Sequence, residues 1–86
     1  MSRICSFFGI VISMYWNDHN PLHFHAEYGD YEVLIEINNL SIYSGYFPSR
    51  ALGLVIEWAS QHREELRENW ILAQQRFPPN RIEPLK

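Results

Sequence analysis

The stretch "HFHAEYGDYEVLIE", residues 23–36, decides the fold. Two runs of alternating apolar residues flank Gly29-Asp30, and a glycine first in a two-residue loop is the signature of a type II′ hairpin turn. That turn pairs Tyr28 with Tyr31, Ala26 with Val33 and Phe24 with Ile35, all on one apolar face. The opposite face carries His23, His25 and Glu27 against Glu36, Leu34 and Glu32. Turn chemistry and alternation agree on this register, and a one-residue slip would exchange the two faces.

Working outward, residues 6–16 are rich in Phe, Ile, Val and Tyr, carry no charge, and read as one strand covered on one face. "NDHNPL" (17–22) then breaks the pattern, because Asp and Asn suit turns and Pro21 cannot donate a ladder hydrogen bond. After Asn38-Asn39 a further strand is expected over Leu40–Tyr46. From Ser49 the period turns helical, with Ala51, Val55, Trp58, His62, Leu66, Trp70, Ala73 and Phe77 on three- and four-residue steps. Pro48-Ser49 starts this region and Pro78-Pro79 stops it, so it spans about 49–76. One straight helix of that length would run about 40 Å, whereas a globule of this size is about 30 Å across. The helix therefore breaks near residues 60–62, or projects and offers an amphipathic end to a partner or a homodimer. The proline-containing tail, 77–86, is expected to be extended.

The expected architecture is α+β: an antiparallel sheet of about four strands (hairpin or meander, about 6–46) with a long or broken C-terminal helix packed on one face. Eighty-six residues make one domain, 1–86, and 47% apolar residues can build a core. A net charge of −3 argues against a general nucleic-acid or membrane-surface footprint. The apolar run at 4–16 is too short to span a bilayer, and no small-residue cleavage site follows it. No membrane association is expected. Cys5 is the single cysteine, which excludes an internal disulfide and a thiolate metal cluster and fits a reducing, cytoplasmic setting.

Three of the four histidines, His19, His23 and His25, fall within seven positions, with Asp18 and Glu27 beside them. Two apart on a strand, His23 and His25 point the same way with α-carbons about 7 Å apart. Both rings can then reach one zinc or other divalent transition-metal ion through bonds of about 2 Å. His19 or Glu27 would give a third ligand, and Glu36, opposite His23, an orienting carboxylate. A metal-dependent hydrolase is one use of such a centre. The second chemistry needs no metal: His23 and His25 as acid and base, tuned by His19 or Glu36, as in cleavage of RNA by transfer to a 2′-hydroxyl. Tyr15, Tyr43 and Ser13 share the open face in that arrangement, but no arginine or lysine stands near in sequence to hold a phosphate. The bland alternative is a polar, solvated face whose His–Glu pairs add modestly to the sheet. His62 lies on the helix's apolar stripe and reads as a core or boundary residue, as do Trp58 and Trp70.

The motif order Phe8-Gly9, Asn17-Asp18-His19, Pro21, His23-Phe24-His25, Glu57-Trp58 and His62-Arg63-Glu64-Glu65-Leu66 resembles the small prokaryotic family termed domain of unknown function 4160. The likeness runs from Ile4 to Pro84. It departs at Leu22, where the family pattern has proline, and at Asn38-Asn39-Leu40, which replaces a glycine-containing turn. The resemblance implies one member of a toxin–antitoxin-like two-gene module, with a small protein partner encoded nearby, of another family (domain of unknown function 2442). It carries Asp18, His19, His23 and His25 as motif positions without assigning them a chemistry. Two readings result: a metal-independent ribonuclease acting through the histidine face, or a non-enzymatic module that binds a metal or a protein there.

Overall fold

The computed structural model describes residues 2–86. Seven elements follow in chain order: β1 (Ser2–Phe7), β2 (Ile10–Met14), β3 (His23–Tyr28), β4 (Tyr31–Glu36), β5 (Ile42–Tyr46), α1 (Ser49–Gln61) and α2 (Arg63–Gln74). The strands form one antiparallel meander in the order β1-β2-β3-β4-β5. The α+β class stands, with five strands rather than about four.

The additional strand comes from the first apolar run, which folds as a hairpin and not as the single strand expected over 6–16. Phe8 (φ 50°) and Gly9 (φ 81°) both turn left-handed, as a two-residue type I′ loop requires. Phe8 is left 62% exposed at the tip. At the next hairpin the observed pairs are Tyr28–Tyr31, Ala26–Val33, Phe24–Ile35 and His23–Glu36, the register that Gly29-Asp30 dictates. Ile10, Ile12, Met14, Phe24, Ala26, Val33 and Ile35 are buried from this sheet. Tyr28 and Tyr31, by contrast, sit at the hairpin end and stay partly exposed.

The helical region breaks. His62 leaves the helical conformation (φ −130°, ψ 27°), separating α1 from α2. Its N–H still donates to Ala59 O (3.1 Å) and its carbonyl accepts from Leu66 N (3.0 Å), so the joint loses few backbone bonds. The molecule measures 33 × 25 × 23 Å, less than one continuous helix would need. Ala51, Val55, Trp58, Leu66, Trp70 and Ala73 of the expected stripe are buried. Phe77, beyond the end of α2, is 58% exposed.

The tail, 77–86, has no regular secondary structure and is anchored. Trp58 Nε1 donates to Glu83 O (2.8 Å). Buried Asn69 donates from Nδ2 to Asn80 O (2.9 Å) and accepts from Asn80 N at Oδ1 (2.8 Å). Ile82, 4% exposed, joins the core, and its N–H donates to Ile4 O on the edge of β1 (3.4 Å). Removing Asn69 would take the partners from the Asn80 N–H and carbonyl, in a part-buried place, and leave a cavity where the buried side chain stood. Asn69→Ala is expected to lower unfolding free energy by about 2 kcal/mol, read as a lower urea midpoint at unchanged slope.

Candidate metal centre

Three side chains converge where the 15–22 loop crosses the start of β3. Asp18 Oδ2 lies 2.8 Å from His25 Nε2 and 3.3 Å from His23 Nε2. β3 supplies both histidines, and the strand period aims them at one point. The loop supplies Asp18 and is fastened to α2, since Gln74 Nε2 donates to Asp18 O (3.2 Å). Beside it the Arg76 guanidinium lies over the Trp16 ring, 4.6 Å from its centre. The Trp70 ring packs 5.3 Å from that of His23, which is only 3% exposed.

The outer nitrogens are also engaged. His23 Nδ1 donates to Pro21 O (2.7 Å), and His25 Nδ1 lies 3.1 Å from Glu32 Oε2. A carbonyl can only accept, so His23 Nδ1 carries hydrogen; His25 faces a carboxylate at each nitrogen, so either neutral tautomer leaves one lone pair against a carboxylate. In a neutral His23 ring Nε2 then holds the lone pair, which faces the Asp18 carboxylate. Two acceptors in contact repel, so a second proton on the ring or a cation between the groups is required. The three donor atoms lie within 4.8 Å of one another. Around a tetrahedral ion with bonds of about 2.1 Å, neighbouring ligand atoms stand about 3.4 Å apart. The His23–Asp18 contact (3.3 Å) matches this spacing, the His25–Asp18 contact (2.8 Å) must open by about 0.6 Å, and the widest separation must close by up to about 1.4 Å.

Of the residues the sequence nominated, Asp18, His23 and His25 come together. His19 is exposed and lies outside the cluster. Glu27 is likewise outside it, one register step away opposite Glu32. Glu36 faces His23 across the ladder, but its carboxylate accepts from Ser41 Oγ (3.3 Å). The carboxylate that orients a histidine is Glu32, which sequence reasoning placed on the face and did not assign. Its signal was the alternation itself, since Glu32 lies diagonally from His25 on one face. The Pro21 carbonyl had no sequence signal, because a backbone acceptor belongs to any residue.

The tyrosines read as sharing this face do approach it. The Tyr15 ring meets His25 edge-on at 4.4 Å, and the Tyr43 ring lies 5.5 Å from His23. Ser13 pairs with His25 across β2 and β3, and its buried Oγ has no protein partner among the described residues. Cys5 offers no nucleophile, since burial pushes its thiol up to about 11, against a smaller lowering by Arg81.

Fold and site together define a small α+β protein with two histidines and one aspartate converging beside a sheet. The chain belongs to the family described as Domain of unknown function (DUF4160), whose model matches residues 9–71. That span includes Asp18, His23, His25 and Glu32. No curated protein and no solved structure matches the chain.

The environment of Tyr15 yields a pH test. Burial raises its phenol above the ordinary value of 10.0, and the charges of Glu27, Glu32 and Asp18 raise it further. The folded protein therefore holds this proton where the unfolded chain releases it. Folding is unaffected by Tyr15 below pH 10 and loses stability as pH climbs through the raised value. In a tyrosinate absorbance titration, the step that Tyr15→Phe removes is expected to be the later one, and Glu27→Gln should move it to lower pH.

Proposed function

We propose that this protein binds a divalent transition-metal ion through His23 Nε2, His25 Nε2 and Asp18 Oδ2. The observation that carries the reading is the disposition of the outer nitrogens. Each Nδ1 is met by an acceptor, Pro21 O for His23 and Glu32 Oε2 for His25, and both Nε2 atoms turn toward one carboxylate. Metal-binding histidines are oriented in this way by carbonyls and carboxylates behind them. Two imidazoles and one carboxylate suit zinc, iron(II), cobalt(II) or manganese(II) and fit calcium or magnesium poorly. Three protein ligands leave at least one coordination position for water or substrate, the condition for Lewis-acid chemistry.

A second reading rests on His25 alone. With Asp18 on one nitrogen and Glu32 on the other, its ring can pass a proton between two carboxylates without a metal. Action on RNA by this route fits less well, because Glu27, Glu32 and Asp18 ring the site with negative charge. The toxin–antitoxin-like role implied by the resemblance is compatible with either chemistry.

The test is calorimetric titration of chelator-treated protein with zinc and cobalt(II), with the cobalt visible spectrum as a coordination probe. One equivalent is expected to bind, with loss of binding in His25→Ala and Asp18→Ala. Glu32→Gln should keep one equivalent and weaken it by about 10–100-fold. Folded protein that takes up no metal, together with a growth arrest on expression that His25→Ala abolishes, would transfer the assignment to the proton relay.

A further inference from the structure

An open five-stranded sheet has two free edges, and this chain treats them unlike one another. The tail reaches β1, where Ile82 N donates to Ile4 O. β5 is the other edge, and all five of its residues are exposed. Proteins blunt such an edge with lysine, proline, inward charge or a covering segment. The sequence of β5, "IYSGY", contains none of these residues. Two irregularities interrupt it, a shift that makes Tyr43 an extra residue between Ile42 and Ser44 and a positive φ at Gly45 (91°), and they shorten the regular ladder without closing it. Ile42, Tyr43 and Tyr46 are 47%, 50% and 68% exposed.

Charge says what would lie there. Through residue 49 the chain has one basic side chain, Arg3, against Asp18, Glu27, Asp30, Glu32 and Glu36. Arg3 belongs to β1, at the far edge of the sheet. Glu27 and Glu32 stand directly opposite on neighbouring strands, a like-charge pairing that costs stability. Among the described residues neither they nor Glu36 form an ion pair with lysine or arginine. Glu32 and Glu36 lie on β4, next to the free edge. A sixth strand would run about 10 Å from them, a distance that a lysine or arginine side chain and a glutamate can close together.

We propose that β5 accepts a short extended segment, rich in lysine or arginine, from a protein partner. The backbone pairs with β5 by strand addition. The cationic side chains lie over Tyr46 and the Glu32 and Glu36 carboxylates, neutralising the acidic face. This docking needs no metal; it shares Glu32 with the histidine cluster, and Glu36, which touches neither histidine, is the residue that tests it separately.

The probe is a fluorescein-labelled peptide alternating lysine with threonine or valine, titrated with the full chain at low salt and followed by anisotropy. Two controls accompany it: the same peptide with glutamate for lysine, and one with alternate backbone nitrogens methylated, which keeps the charge and blocks the ladder. The lysine peptide is expected to bind at least about tenfold more tightly than either control. Its binding should weaken in Glu36→Gln, and amide exchange should slow in Ile42–Tyr46 on binding. Equal binding of the methylated peptide would reduce the effect to diffuse charge attraction and overturn the proposal. So would no binding of the lysine peptide, preferential binding of an oligouridylate, or sedimentation showing that β5 is already covered in a dimer.

Discussion

The pairing of β3 with β4 is the constraint on which the site depends. A shift of one residue would turn His23, His25 and Glu27 into the core and Phe24 and Ala26 out to solvent. Two features hold the register: Gly29, whose positive φ closes the tight turn, and the apolar ladder of Phe24–Ile35 and Ala26–Val33 behind it. The same ladder places Glu32 where it reaches His25 and Glu36 where it faces His23. The polar cluster is therefore positioned by hydrophobic packing on the reverse of the sheet.

The cluster is completed from elsewhere in the chain. Asp18 comes from a loop without regular structure, and that loop keeps its place because α2 grips it through Gln74 and packs Trp70 against His23. The break at His62 matters here, since it lets the second helix follow the compact body rather than overshoot the sheet. His62 itself stays at the boundary, its Nδ1 on Glu65 and its ring against Trp58. It spends its chemistry on the joint, far in sequence from the other three histidines.

Much of this was legible in the residues, and the exceptions have physical reasons. The Gly29 hairpin and the buried helical stripe follow from periodicity, a local property. The Phe8-Gly9 turn was hidden because apolar residues continue through it. An exposed phenylalanine at a hairpin tip looks, in sequence, like one more buried position. The spacing of His23 and His25 on one strand announced a shared site, while the choice of Asp18 over His19 as the third member did not. Neighbours in a loop point in directions that only the path of the loop decides. The bonds that tie Asn69 and Trp58 to the tail are long-range contacts to backbone, which no local pattern encodes.

Those last contacts impose an order on assembly. β1 precedes the other described strands, yet the residue that bonds to its edge, Ile82, follows all the described strands and helices. The acceptor for Trp58 Nε1, at Glu83, comes later still. Until the 80–83 segment is in place, the β1 edge lacks this cover and the Trp58 indole lacks its acceptor. Both gaps close together when that segment docks. The tail thus acts as a closing seam, and any chain in which that segment is undocked offers the β1 edge for unwanted strand pairing.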